Sequence, residues 1–178
     1  GGGRRGALVL PELRGDLVAP RLGLSPLAWH ELALEVDVVL HSAAETNWRT
    51  PPEDIVRTNL RGADTMLDLA ARADAPLYLV STAFVANTPT EEDHRRFPGA
   101  AAYLDSKARA ERLTREAGLP GAIVRPSVVM GDSVTGRIAG QQGLTKTIGS
   151  MVLGQVPVLP GAPDARIHMV PQDYVARA

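Results

Sequence analysis

Short apolar runs, most of them rich in valine, leucine and isoleucine, recur along the chain and predict buried β-strands. The clearest are residues 36–43 (VDVVLHSA), 76–83 (PLYLVSTA) and 121–127 (GAIVRPS). The run ALVL at residues 7–10, with its continuation to Leu13, predicts a further strand, which the turn RGDL closes. Near-continuous runs of this kind are typical of strands buried on both faces of a parallel sheet.

Longer segments with helical periodicity separate these runs. Helices are predicted from Pro26 to Leu34, over residues 50–74 and over residues 101–118. Thr50 predicts the N-cap of the second helix, with prolines next and Glu53 in the first turn. One predicted face of that helix carries apolar and small side chains: Val56, Leu60, Ala63, Leu67 and Ala70. Strands and helices that alternate at this spacing predict an α/β fold with a doubly wound, parallel, Rossmann-like sheet.

The pattern changes near residue 136. Residues 136–178 are rich in glycine and proline, and the pattern breaks off within a unit. We therefore predict one unit over residues 1–135 and the beginning of a second over residues 136–178.

The composition excludes several classes of function. The 178 residues carry a net charge of −1 and 22% are charged, so no basic surface for nucleic acid or a membrane is predicted. The absence of cysteine excludes disulfides, thiolate metal ligands and a cysteine nucleophile. The four histidines share no ligand spacing, so no metal site is predicted. No apolar run approaches the roughly 20 residues of a membrane helix, and a cytoplasmic protein is expected.

Tyr103 and Lys107 are the first candidates for chemistry, in a chain with three tyrosines and only two lysines. Residues at i and i+4 lie on one face of a helix, with Cβ atoms about 5–6 Å apart. A neighbouring ammonium favours the phenolate of a tyrosine, which can pass a proton to a carbonyl oxygen near neutral pH. Thr82 or Ser81, at the end of the preceding strand, would supply a second hydroxyl to that oxygen. The alternative is a surface lysine one turn away from a half-buried tyrosine.

Three motifs in combination resemble the extended short-chain dehydrogenases/reductases: YLVSTAFV at residues 78–85, YLDSK at 103–107 and IVRPSVVMGDS at 123–133. Within that family, VLHSAAETNW at 39–48 and NLRGADTMLDLA at 59–70 are similar to the thioester reductases. Those are the terminal reductase domains of nonribosomal peptide synthetases and polyketide synthases, and of carboxylic acid reductases. Fatty acyl reductases are related to them.

The resemblance implies a catalytic set of Thr82, Tyr103 and Lys107. Thr82 and Tyr103 would hydrogen-bond the reacting carbonyl oxygen, and Tyr103 would donate the proton. Lys107 would lower the tyrosine pKa and hold the nicotinamide ribose, and Tyr103 would also contact the cofactor. The resemblance implies NADPH as the cofactor and no metal.

The resemblance implies that further residues bind the cofactor. Asp16 and Leu17 would lie at the adenine, and Ala43 and Ala44 along the dinucleotide. Asn59 would lie on the helix of the cofactor side, and Pro126, Ser127 and Val128 beside the nicotinamide. From the residues alone, Asp16 could equally be a turn residue within RGDL. Asn59 could be a polar helix position with a solvent partner. Trp48 either faces a substrate channel or covers the core, and the sequence favours neither.

The chain departs from the family at its start. A complete member opens with a strand and a glycine-rich turn whose backbone amides bind the pyrophosphate, and GGGRRG at residues 1–6 does not fit that turn. We therefore expect a part of a longer protein. It would hold a partial dinucleotide-binding domain over residues 1–135 and the beginning of a substrate-binding region over residues 136–178.

The activity implied by the resemblance is NADPH-dependent reductive release of an acyl or peptidyl thioester as an aldehyde, with further reduction to an alcohol left open. The partner would be an acyl or peptidyl carrier protein that bears phosphopantetheine. Two alternatives stay open. One is another substrate on the same fold, as in nucleotide-sugar epimerases and dehydratases or hydroxysteroid dehydrogenases, and the other is a non-catalytic binding module.

Overall fold

The computed structural model describes residues 12–138, 140, 143–155 and 166–177. Its helices are α1 (Pro26–Glu35), α2 (Pro52–Ala73), α3 (Glu91–Arg96), α4 (Pro98–Ala117), α5 (Gly143–Val152) and α6 (Gln172–Val175). Its strands are β1 (Val39–His41), β2 (Leu77–Val80), β3 (Gly121–Val124), β4 (Val128–Met130) and β5 (Met169–Pro171). Short 3₁₀ turns lie at Pro20–Gly23 and Ala83–Ala86. The strand predicted at residues 7–10 lies outside the described residues.

Strands β1, β2 and β3 form a parallel sheet in that order. Val39 of β1 lies opposite Leu77 of β2, which lies opposite Gly121 of β3. Because α2 connects β1 to β2, and α3 and α4 connect β2 to β3, the predicted βαβ units and α/β fold are confirmed. Each strand is shorter than its predicted run, at three or four residues. The carboxyl ends of the strands meet at one edge of the sheet, which is where ligands bind in such folds.

A second parallel pair joins β4 to β5, with Val128 opposite Met169. The Asp173 carboxylate in α6 accepts hydrogen bonds from the Ser133 backbone N–H and hydroxyl at 2.8 and 2.9 Å. These contacts join residues on the two sides of the predicted boundary at 135/136. The division into two units at that point stays a prediction.

The hydrophobic core lies between one face of the three-stranded sheet and helices α1, α2 and α4. Its buried side chains are Trp29, Ala33, Val39, Ala63, Leu69, Ala70, Leu77, Leu79 and Ala110. On the other face, Leu40 and Tyr78 are 67% and 39% exposed. The strands were predicted to be buried on both faces of the sheet. In the described part of the chain, they are buried on one face only. None of the described helices is long and apolar enough to cross a membrane.

Helix α2 begins one residue later than predicted. Its N-cap is Pro51, not Thr50: the Pro51 carbonyl accepts from the Ile55 backbone N–H at 3.1 Å, and no side chain caps the helix. The predicted apolar face is buried only in part. Ala63 and Ala70 of that face are buried, and so are Ile55 and Asn59 outside it, whereas Val56, Leu60 and Leu67 are half-buried. The polar Asn59 side chain has partners that the helical pattern alone could not reveal.

Gly99, in the first turn of α4, sets how closely this helix approaches the loop after β1. A Cβ atom at this position would overlap the backbone carbonyl of Trp48. Glycine therefore allows the helix that carries Tyr103 to pack directly on the Trp48 backbone.

Replacing Gly99 by alanine should lower the free energy of unfolding by about 1–3 kcal/mol, since either the helix or the Trp48 loop must move. Gly149→Ala is the matched control, because Gly149 also lies in a helix and a Cβ atom added there would meet no atom within 4 Å. That change should be neutral or stabilise by up to about 1 kcal/mol. Urea unfolding measures both, and equal effects would contradict the close approach at Gly99.

Candidate active site

Lys107 lies near the middle of α4 and is only 6% exposed. Its Nζ atom donates a hydrogen bond to the carbonyl of Val80, the last residue of β2, at 2.9 Å. This bond joins the helix to the carboxyl end of the central strand. Because Thr82 follows Val80 by two residues, the ammonium and the Thr82 hydroxyl lie at the same edge of the sheet.

Tyr103 lies one helical turn before Lys107 and is half-buried. Its ring lies 6.4 Å from the ring of Trp48, at an angle of 43°. Burial raises the pKa of Tyr103 above its ordinary value. The direction is opposite to the lowering expected from Lys107, because desolvation of the phenol dominates.

Thr82 is buried at the start of the 3₁₀ turn that follows β2. Its Oγ1 atom accepts a hydrogen bond from the Phe84 backbone N–H at 3.4 Å, which leaves the hydroxyl hydrogen available to a ligand. The neighbouring Ser81 hydroxyl is buried too and has no hydrogen bond of normal geometry in the described residues. It lies close enough to Glu111 to lower the pKa of that carboxyl. We therefore take Thr82 as the hydroxyl of the site.

Asn59 of α2 is buried, and its side chain uses both of its polar atoms within the protein. The Oδ1 atom accepts from the Glu45 backbone N–H at 2.7 Å, and Nδ2 donates to the Glu45 carbonyl at 3.2 Å. Nδ2 also donates to the Ser106 hydroxyl at 2.9 Å, which in turn donates to the Tyr103 carbonyl at 2.7 Å. Asn59 therefore connects the loop after β1 to the turn of α4 that carries Tyr103.

Glu111 lies one turn beyond Lys107 and is 1% exposed. Its carboxylate accepts hydrogen bonds from Arg125 Nε at 2.8 Å and from Arg115 Nη2 at 2.6 Å, and it also pairs with Arg125 Nη2. Burial raises the Glu111 pKa, but Arg125, the Ser81 hydroxyl and Arg115 outweigh it and lower the pKa to about 2. The ionised carboxylate ties α4 to the end of β3, directly before Pro126.

The charge of Glu111 also acts on Lys107. Burial lowers the pKa of Lys107, and the nearby carboxylate opposes this by favouring the ammonium. Tyr103, Lys107 and Glu111 are spaced four residues apart, so they follow one face of α4. The lysine is therefore held between a phenol on one side and a fixed negative charge on the other.

His41, the last residue of β1, is buried beside this group. Burial lowers its pKa to about 4, and the charge of Lys107 acts in the same direction. The imidazole is therefore neutral at pH 7. In the described part of the chain, no group of three or more His, Cys, Asp or Glu side chains could hold a metal ion.

The residues predicted to bind the cofactor lie in three places. Pro126, Ser127 and Val128 are half-buried, and the Pro126 carbonyl accepts from the Ala83 backbone N–H at 2.9 Å, which brings this loop beside Thr82. Ala43 and Ala44 continue β1 beyond the sheet as exposed or half-buried extended chain, directly before Glu45.

Asp16 and Leu17 lie in the turn that precedes α1. Asp16 is exposed, and its Oδ1 atom accepts from the Val18 backbone N–H at 2.9 Å, so it has the local turn role considered from the sequence. The Leu17 side chain lies against Gly62 of α2, next to the His41 ring. No contact in the described residues links this turn directly to Tyr103, and the adenine role of both residues stays a prediction.

Sequence reasoning missed four residues of this site. Ser106 lies inside the YLDSK motif itself, and Glu111 continues the spacing of Tyr103 and Lys107 by one more turn, so both left a signal in the helical periodicity. Arg125 and Glu45 left no such signal. Their partners lie on other elements, at separations of 14 residues.

These features define an α/β domain with a tyrosine–lysine pair on the helix beside the carboxyl end of its central strand. The chain belongs to the NAD-binding family described as male sterility protein (NAD_binding_4), which matches residues 10–178. The cofactor class of this family is a nicotinamide dinucleotide.

Individual relatives agree with this family. The L-2-aminoadipate reductase large subunit of Eremothecium gossypii is 30% identical over 92% of this chain and 13% of that protein. The nonribosomal peptide synthetase asaC of Aspergillus flavus is 32% identical over 93% of this chain and 18% of that protein. The crystal structure of the terminal R domain from the myxalamid PKS-NRPS biosynthetic pathway has a TM-score of 0.77 and 34% identity, over 93% of this chain and 44% of that one. The resemblance to thioester reductases is thereby confirmed, and the chain spans only a small part of the two curated relatives.

Glu111 should make stability depend on pH at the acid end. Its pKa is depressed in the folded state, so the stabilisation is complete above its ordinary pKa of about 4.5 and is lost as pH falls toward about 2. Glu111→Gln removes this contribution. The difference in free energy of unfolding between the wild type and the variant should therefore shrink as pH is lowered from about 6 to about 3. Urea unfolding across this range measures it, and a difference independent of pH would contradict an ionised, paired Glu111.

Proposed function

We propose that the intact protein reduces an acyl or peptidyl thioester to an aldehyde and thereby releases it from a carrier protein. The names of the relatives support this reaction class, since they include an aminoadipate reductase and a nonribosomal peptide synthetase. In the chain itself, the main support for the proposal is the hydrogen bond from Lys107 to the Val80 carbonyl. It holds the tyrosine–lysine helix next to the Thr82 hydroxyl, at the edge of the sheet where a ligand would bind.

The residues at this edge fit the nicotinamide half of a dinucleotide. Among the described residues, Lys107 Nζ gives one of its three hydrogens to the Val80 carbonyl, which leaves two for the hydroxyls of a ribose. Ala43 and Ala44 have small side chains and lie outside the core, which leaves their backbone accessible along one side. We propose NADPH as the dinucleotide, which when bound supplies the hydride.

Two hydroxyl donors are available to the carbonyl oxygen of the thioester, Thr82 and Tyr103. Because burial raises the Tyr103 pKa, the phenol keeps its proton at neutral pH and can give it to the oxygen as negative charge develops there. The carbonyl carbon accepts the hydride and the oxygen accepts the proton, which yields a hemithioacetal. Its collapse breaks the carbon–sulfur bond and releases a thiol and an aldehyde.

The partner of this reaction is an acyl or peptidyl carrier protein whose phosphopantetheine thiol holds the substrate. Support comes from the domain context of the relatives, which include a synthetase and a PKS-NRPS terminal domain. We propose that this reaction takes place in the cytoplasm.

The first test is NADPH oxidation by the intact protein with an acyl-pantetheine thioester, with identification of the product. Oxidation coupled to release of an aldehyde, or of an alcohol after a second reduction, is expected. If NADPH binds but no thioester leads to its oxidation, the proposal is overturned. Turnover of a nucleotide sugar or a hydroxysteroid would then favour the corresponding alternative.

Tyr103→Phe should reduce kcat by at least about 100-fold, since removing a general acid costs about 10²–10⁴-fold. The ring and its contact with Trp48 remain, so the variant should keep its fold. Tyr78→Phe is the matched control, because Tyr78 lies on the exposed face of β2 and makes no described hydrogen bond to the site. Equal turnover in the wild type and in Tyr103→Phe would remove Tyr103 from the catalytic set.

A further inference from the structure

A cavity of about 650 Å³ lies against the first two turns of α4, and its lining includes Leu104, the residue next to Tyr103. Its apolar walls come from the loop after β1, from the segment before α3 and from the start of α4, and include Trp48, Pro89, Phe97, Ala100 and Leu104. The volume is within the roughly 300–1,000 Å³ that is typical of small-molecule sites. None of the residues assigned above to proton transfer or to the cofactor lines it.

The aromatic rings of this cavity are exposed although the backbone that carries them is held firmly. Trp48 is 58% exposed and Phe97 is 56% exposed. The loop that carries Trp48 is bonded to Asn59 through Glu45, and its backbone packs on Gly99. Two large apolar rings on fixed backbone, open to the same cavity, form a preorganised apolar surface.

The charged groups of the cavity leave its centre apolar. The Asp93 carboxylate is engaged with Thr90, whose backbone N–H and hydroxyl donate to it at 2.9 and 2.7 Å. The Arg96 guanidinium lies 5.4 Å from the centre of the Phe97 ring, where the cation and the ring attract each other. This arrangement suits the uncharged part of a ligand, because neither charged side chain is left buried without a partner.

We propose that this cavity binds the apolar acyl chain of the thioester substrate and that Trp48 and Phe97 set its preferred length. The inference rests on the proposed function. Its geometric basis is that Trp48 lines the cavity and that its ring lies 6.4 Å from the Tyr103 ring, which places the cavity next to the residue proposed for proton transfer. Ala100 and Leu104, which lie within one turn of Tyr103 on α4, also line the cavity.

The experiment uses the intact protein, NADPH and a series of pantetheine thioesters from acetyl to decanoyl, with kcat/KM measured for each. In the wild type, kcat/KM should rise with chain length, since each buried methylene group improves binding. Phe97→Ala should reduce kcat/KM for the decanoyl thioester by about 10-fold or more and for the acetyl thioester by less than about 2-fold. Leu34→Ala is the control, because Leu34 is an exposed apolar residue of α1 (75% exposed) far along the chain from the cavity, and its profile should match the wild type.

A second variant tests the same cavity by filling it. Ala100→Leu adds atoms to the cavity wall near Phe97 and Leu104, so it should shift the preferred acyl chain to a shorter length. This variant removes no packing and thus covers the case in which Phe97→Ala does not fold.

The outcomes separate the two proposals. A length profile that is the same in the wild type and both cavity variants, with thioesters still reduced, overturns the acyl site and leaves the proposed function intact. Phe97→Ala could instead lower kcat/KM equally for all acyl chain lengths, with the effect lost when pantetheine is shortened. That result would place the thiol arm in the cavity and would also overturn the acyl site. If none of the thioesters leads to NADPH oxidation, both the proposed function and the acyl site are overturned.

Discussion

The hydrogen bond from Lys107 Nζ to the Val80 carbonyl is the contact on which the candidate site depends. A buried ammonium needs a partner, and here that partner is a carbonyl at the carboxyl end of the central strand. Satisfying this charge therefore positions α4 relative to the sheet. Tyr103, one turn earlier on the same helix, is placed near Thr82 as a consequence.

Two further connections keep the neighbouring segments in place. The Asn59 side chain bonds the backbone of Glu45 and the Ser106 hydroxyl, so it connects the loop after β1 to the turn of α4 that carries Tyr103. The Glu111–Arg125 pair connects α4 to the end of β3. Because removing one partner would leave the other buried or unpaired, these contacts resist local distortion. The segments around the proposed substrate thus meet through buried polar contacts, whereas the apolar core lies further from the edge.

The electrostatics of the site arise from burial opposed by a few nearby charges. Desolvation raises the pKa of Tyr103 and lowers those of Lys107 and His41, since it disfavours the charged form of each group. Glu111, kept ionised by its two arginines, opposes this effect at Lys107. The result at neutral pH is a protonated phenol beside a cation, with a neutral imidazole behind them. That combination suits donation of a proton to an oxygen that becomes negatively charged.

By itself, the sequence determined the α/β class, the alternation of strands and helices, and the pairing of Tyr103 with Lys107, because these depend on local periodicity and on spacing within one helix. It also placed Thr82 at the end of its strand. Only the tertiary structure decided that Asn59 is a buried connector, that Glu111 pairs with Arg125, and that Trp48 lies on Tyr103 beside an open cavity. It also corrected the cap at Thr50 and the buried face of α2. These features depend on contacts between elements distant in sequence, which no local pattern of side chains records.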